Sequence, residues 1–216
     1  MSRFIAVLAA FLASAGLWAQ TPEEILEKMD KATERFDTEG LSMVMDIKIP
    51  LLGTYSTTME MVGNKYKAVL NIKGTQVMTW SDGVTSWIYD SSKNELVIEN
   101  ADPDQKADDG NLDILDSVSD GYDVTLKKET PDAWYFVCTK TKDNPNKDDP
   151  KKIDLAVSKH DYLPVSTSVS QKGVTITLRD FKAGVTQEQI KFDQSQFGDA
   201  TIKDKRESSK EIKDAE

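Results

Sequence analysis

Residues 79–99 read TWSDGVTSWIYDSSKNELVIE, and they decide the fold because short alternating runs stand on either side of two turns. Thr79 to Ser81 and Ser86 to Asp90 flank Asp82-Gly83, and Glu95 to Glu99 follows Ser92-Lys93-Asn94. Asp, Asn and Gly at such junctions take the turn conformations that join antiparallel neighbours, so the segment reads as successive hairpins. It also crowds two tryptophans and a tyrosine around one turn. Those aromatics either pack a β core or line a surface that takes up something apolar. Trp80 and Trp87 meet across the hairpin or lie on opposite faces, depending on register. Trp87 is expected to be structural.

Working outward, the same period of two continues on both sides. Leu41, Met43, Met45, Ile47 and Ile49 alternate with more polar residues, and Tyr55, Thr57, Met59 and Met61 repeat the pattern after Gly53. Lys65 to Ile72 and Thr75 to Ser81 follow, separated by Gly63-Asn64 and Lys73-Gly74. Beyond the opening segment, strands are expected at Tyr122 to Lys128, Ala133 to Thr141, Lys151 to Ser158, Pro164 to Gln171 and Val174 to Phe181. Ahead of them, PEEILEKMDKATERF (22–36) places Ile25, Leu26, Met29, Ala32 and Phe36 at helical spacing. Thr21 serves as N-cap, Pro22 stands at the first helical position and Glu24 completes a capping box. The fold class is mainly β with α: about eleven antiparallel strands in a large curved sheet or partial barrel wrapped on helices.

The chain has 216 residues, 38% hydrophobic and 30% charged, which suits one globular domain rather than a disordered protein. MSRFIAVLAAFLASAGLWAQ sets Arg3 before a short, small-residue-rich apolar run, the pattern of a secretory signal peptide. Cleavage is expected after Ala19, with Ala15 as the alternative site. The expected organisation is a signal peptide (1–19), one main domain (20–202) and a polar C-terminal tail (203–216). Loss of Arg3 leaves 26 basic and 37 acidic residues, a formal charge of −11. Nucleic acid is a poor partner for that surface, and peripheral attachment to anionic lipid through a basic patch is also disfavoured. Cys138 is the only cysteine. In Trp134-Tyr-Phe-Val-Cys138 it alternates with Trp134 and Phe136, the place of a small buried residue.

Few parts of a catalytic constellation are present. The single histidine, His160, stands in a turn beside Lys159 and Asp161, without a second His or Cys to make a metal site. No G-x-S-x-G elbow, phosphate loop or dinucleotide fingerprint occurs. Asp108-Asp109-Gly110-Asn111 fails as a calcium loop, because setting Gly110 at position six puts Gln105 and Ala107 where carboxylates are required. Binding without a cofactor or metal is therefore the expected class. After the acidic run, Leu112, Ile114, Leu115 and Val118 form a short apolar helical face, which is expected to dock over the open end of the sheet as part of a lid.

The order Ser81-Asp82-Gly83, Trp87-x-Tyr89-Asp90, a turn and Leu96-Val97-Ile98 resembles the periplasmic outer-membrane lipoprotein carriers, the LolA family. Lys152-Ile-Asp-Leu-Ala-Val157, Leu163-Pro-Val165 with Val169, Val174-Thr-Ile-Thr-Leu-Arg179-Asp-Phe181 and the Phe192 and Phe197 segment resemble it too. The family commonly carries Arg-Pro ahead of the third strand; here Val62-Gly63 stand there. The resemblance implies an unclosed antiparallel β-barrel with a helical lid, and an apolar cavity for the acyl chains of a lipoprotein. It implies a monomeric periplasmic carrier that receives cargo from an inner-membrane exporter and delivers it to an outer-membrane acceptor. Met43, Met45, Met59 and Met61, with Tyr66 and Leu70, alternate on the first three strands as the candidate lipid-binding lining, since unbranched thioethers adapt to irregular ligands. Plain core packing under the first helix accounts for the same stripe. Two other functions stay open: a lipid-sensing or lipoprotein-sensing regulatory protein of the same fold, and a hydrolase that uses unrecognised carboxylates.

Overall fold

A computed structural model describes residues 20–101, 121–144 and 149–206. Helix α1 (Pro22–Thr33) begins as expected: the Thr21 hydroxyl accepts from the Glu24 backbone N–H, and the Glu24 carboxylate accepts from that of Thr21. The expected helix to Phe36 is divided. The Thr33 hydroxyl donates to the Asp30 carbonyl at 2.8 Å, a back-bond that bends helices, and the chain restarts as α2 (Arg35–Glu39). Phe36 turns into the core, 5% exposed. Gly40 then leads into the sheet at φ +71°, with ψ 161°.

Twelve strands follow: β1 (Leu41–Ile49), β2 (Gly53–Val62), β3 (Lys65–Ile72), β4 (Thr75–Ser81), β5 (Thr85–Asp90), β6 (Glu95–Asn100), β7 (Tyr122–Glu129), β8 (Ala133–Lys140), β9 (Lys152–Ser158), β10 (Pro164–Gln171), β11 (Val174–Ala183) and β12 (Thr201–Asp204). Among the described residues they form one sheet in the order β12-β6-β5-β4-β3-β2-β1-β11-β10-β9-β8-β7, with β12 and β7 at its two ends and not paired to each other. All neighbours are antiparallel except β12, which pairs in parallel with β6. This is an unclosed barrel with one strand more than expected. The added strand carries Lys203 and Asp204, the first two residues of the segment expected to be a polar tail.

One face of the sheet holds the helices. Ile25, Leu26, Met29 and Phe36 share a core with Leu41, Met43 and Met61 on one side and with Phe136, Ile153, Leu155, Leu178 and Tyr122 on the other. That core reaches from β2 to β7, seven strands in sheet order. Laid flat, seven strands would span roughly 29 Å between the outermost two. A 12-residue helix is only about 18 Å long, so the sheet curls around it. Where β11 meets β1 the register shifts between Ser42 and Val44, and Asp180 takes φ +59°. This bulge lets both Leu178 and Phe181 face the helix, at 1% and 7% exposure.

The register also settles where the opening aromatics go. Trp80 pairs directly with Trp87, and Trp87 with Ile98. Residues opposite one another point to one face, and this face is the outer one, away from α1. There Trp80, Leu96 and Ile98 make a second, smaller core with Phe197.

Candidate functional site

Two surfaces could take up an apolar ligand, and they lie on opposite faces of β2–β6. The first follows from pairing alone. Met43, Met59, Ala68, Thr79, Ile88 and Val97 form one row across β1 to β6, and Met45, Thr57, Leu70 and Val77 form the next. Both rows face the helix side. The helices close over the near end of this face, with α2 against β2: Met43 is 0% exposed and Met61, in the row beyond Met59, is 5%. Met45, Met59 and Tyr66 pack at the margin of that core, partly buried. Beyond the margin, Ala68, Leu70, Val77, Ile88 and Val97 are half-buried and belong to neither core of described residues. They make an aliphatic bed that continues the core without its helix.

The bed has a polar border. Tyr66, Ser81, Ser86 and Glu99 occupy one row at the end of β3 to β6. Burial raises the Tyr66 hydroxyl above its ordinary pKa, against a smaller opposite effect of its hydrogen bond with Ser86. Along β3 from Tyr66 to Ile72 the bed runs roughly 20 Å, comparable to an extended acyl chain.

The second surface is on the outer face. The segment after β11 folds back over Trp80 and Trp87. Phe192 stacks on Trp87 at 4.7 Å between ring centroids and meets Trp80 edge-on at 5.4 Å, while Phe197 meets Trp80 at 5.5 Å. A cleft of about 430 Å³ opens beside them, with Trp80, Trp87, Ile190 and Phe192 in its walls and Lys65, Asp82, Glu188 and Lys191 around them. Asp82 is committed to its turn, where one carboxylate oxygen accepts from the Val84 and Thr85 backbone N–H groups.

The polar chemistry elsewhere is that of ordinary turns and ladders. His160 Nε2 lies 3.3 Å from Asp132 Oδ1, both side chains more than 70% exposed. No group of three or more His, Cys, Asp and Glu that could hold a metal ion occurs among the described residues. Arg179 bridges to Asp46 at 2.6 Å and, with Ser56, holds the Asp46 carboxyl below its ordinary pKa. Burial pushes the Cys138 thiol from 9.0 up to about 11, with Asp154 adding to the shift. The thiol is neutral in the folded protein, so it leaves stability unchanged below pH 9. As pH rises from 9 toward 11 the unfolded chain ionises first and stability falls, by an amount on the order of 2–3 kcal/mol. Cys138→Ala should remove that part of the alkaline loss in urea titrations at pH 8 and pH 10.5. Equal slopes for the two proteins would contradict it.

Of the expected lining residues, the structure places all six on one face and divides them into buried (Met43, Met61), marginal (Met45, Met59, Tyr66) and open-bed (Leu70) positions. The expected lid residues, Leu112, Ile114, Leu115 and Val118, lie outside the described residues. Val77, Ile88 and Val97 were reachable from the alternation of β4 to β6 once hairpin registers are assumed. The covering role of Phe192 and Phe197 had no periodic signal.

No protein-family model matches the chain, and no curated protein does. Solved structures to which it is similar include an uncharacterized conserved protein from Thermus thermophilus, at 16% identity over 86% of this chain and 99% of that one, TM-score 0.47. They also include a LolA superfamily protein from Nitrosomonas europaea, at 15% identity over 82% and 100%, TM-score 0.33. The Mycobacterium tuberculosis lipoprotein LppX is a third, at 12% identity over 74% and 94%, TM-score 0.48. These likenesses concern the path of the chain alone.

Proposed function

We propose that this chain is an exported binding protein that carries acyl chains, those of a lipoprotein or a lipid, on the helix-side bed of β2–β6. One observation supports the reading above others. Ala68, Leu70, Val77, Ile88 and Val97 continue the protein's main core past the end of α1, half-buried and outside both cores. An aliphatic surface of this extent is unfavourable in water unless something apolar shares it. In this reading Met45, Met59 and Tyr66 form the seam between helix and ligand, and Met43 and Met61 become reachable when α1 lifts. The protein acts as a monomer after removal of residues 1–19, uses no cofactor and forms no covalent bond with its cargo. It takes lipoproteins from an inner-membrane exporter to an outer-membrane acceptor.

Magnitudes shape the mechanism. Burying one ~16-carbon chain at ~0.8 kcal/mol per methylene is worth ~12 kcal/mol gross. Three chains fully buried would exceed the practical ceiling of roughly 18–21 kcal/mol for noncovalent binding. A bed that buries each chain only in part keeps the cargo releasable, and the acceptor then needs only the tighter site.

Binding of an environment-sensitive apolar dye, displaced by palmitate, tests this. Met59→Glu and Val77→Glu place a charge at the margin and the middle of the bed; each should weaken binding at least tenfold while far-UV circular dichroism stays unchanged. Undiminished binding in both folded variants would remove the bed from the function.

A further inference from the structure

The β1–β2 connection is built against the usual preferences of a soluble hairpin. Leu52 N–H donates to the Ile49 carbonyl at 3.2 Å around Pro50 and Leu51, and Leu51 sits at φ +67°. This is the hydrogen bond of a four-residue turn with Pro at its second position and a left-handed third, where Gly or Asn is the ordinary choice. The residue that bears this strain is a leucine exposed as fully as in an extended chain, at 106%, followed by Leu52 at 63%. No other two adjacent residues among the described ones are both large, apolar and exposed. The Tyr55 hydroxyl donates to the Leu52 carbonyl at 3.3 Å, tying the tip to β2. Backbone strain and an exposed apolar pair at one position serve nothing inside the fold, and such a combination points to contact with something outside it.

Charge says what that contact is. The β10–β11 turn lies against the tip, with the Pro50 ring 3.6 Å from where a side-chain carbon on Gly173 would stand. The β3–β4 turn flanks it across β2. Residues 47–55, 70–77 and 168–177 together contain Lys48, Lys73 and Lys172 and not one Asp or Glu, in a chain of net charge −10. All three lysines are exposed and none forms an ion pair among the described residues. Further along the same end of the sheet, Asp90 and Glu95 are neutralised by Lys93 and Lys203, and Asp154 by Lys152, while Asp143 and Asp149 stand in the β8–β9 connection, beyond β10 from the tip. An apolar tip ringed by free lysines is complementary to an anionic bilayer, with the leucines entering the acyl boundary and the ammonium groups meeting lipid phosphates. The disfavoured membrane contact of an acidic protein becomes local here, because charges farther than about 10 Å are screened in salt.

We propose that the β1–β2 tip is a membrane-docking element that inserts Leu51 and Leu52 into an anionic lipid surface. The proposal stands whether or not the bed binds acyl chains, and the test separates the two. Purified protein is sedimented with vesicles of phosphatidylethanolamine and phosphatidylglycerol, or of phosphatidylcholine alone, at 50 and 500 mM salt. Binding is expected to the anionic vesicles at low salt, weakened at least tenfold by high salt, by the lysine-to-glutamine triple variant Lys48→Gln, Lys73→Gln and Lys172→Gln, and by Leu51→Ser with Leu52→Ser. Dye binding to the bed should stay unchanged in all of them. Leu51→Gly discriminates further: it relieves the turn, so the melting temperature should hold or rise while vesicle binding falls. Absence of association with anionic vesicles at 50 mM salt, or equal association of wild type and the double-leucine variant, overturns the proposal.

Discussion

Trp80→Ala should cost about 3–5 kcal/mol, the range for emptying the site of a large buried aromatic. Trp80 is 5% exposed, lies opposite Trp87 and takes the edges of Phe192 and Phe197. For a domain of this size each kcal/mol moves the melting midpoint by roughly 2–4 °C, so a drop of about 10 °C is expected. The loss should also have a direction. The outer core joins β4 to β6 with the segment after β11, and β12 reaches β6 only through that segment. Hydrogen exchange in residues 192–204 should therefore accelerate more than exchange in β9 and β10, whose core lies on the other face. Trp87 is only half-buried, and its replacement by Ala should cost less than that of Trp80. A melting midpoint within about 2 °C of wild type for Trp80→Ala would contradict the outer core as a structural unit.

Gly40→Ala is the second large effect. A methyl group there would stand 2.5 Å from the Val185 carbonyl oxygen and 2.8 Å from that of Met61. Both are backbone atoms, which cannot rotate away. The backbone at φ +71° and ψ 161° is also a region that residues with a side chain scarcely occupy, a strain of about 1–3 kcal/mol by itself. The junction is further tied, because Gly184 N–H donates to the Glu39 carbonyl at 3.1 Å. Strain plus displacement of β2 and of the segment after β11 should bring the total to about 3 kcal/mol or more. Gly53→Ala is the control: its φ is +102° but nothing lies within 4 Å, so only backbone strain applies. If urea denaturation gives the same loss for both, steric closure at the helix-to-sheet junction is not what selects Gly40.

Most of the sheet could be read in advance because its elements are local. β3, β4 and β10 run between the residues that alternation and turn chemistry mark, and the capping box begins α1 where Thr21 and Glu24 stand. What escaped depends on partners distant in sequence. Thr201-Ile-Lys-Asp204 is too short and polar to announce a strand, and it becomes one only by pairing with Glu95 to Ile98. The face taken by Trp80 and Trp87 is a matter of register, and one residue of slip would have reversed it. Phe192 and Phe197 show no period, so their role is visible only once they lie on Trp80 and Trp87. The methionine stripe was legible as a face; its division between helix and open bed is set by where the helical cover of α1 and α2 ends. Pro50-Leu51-Leu52-Gly53 reads simply as a turn, and nothing local reveals that its leucines are left uncovered.

The central claim, that an acyl chain lies on the helix-side bed, is tested most directly by photo-cross-linking. Palmitate with a terminal diazirine, irradiated with the protein and mapped residue by residue by tandem mass spectrometry, should label the helix-facing positions Met59, Ala68, Leu70, Val77 and Ile88. Excess unlabelled palmitate should suppress that labelling. Labelling confined to Trp80, Trp87, Ile190 and Phe192 around the outer cleft, or labelling that palmitate does not suppress, would contradict the account.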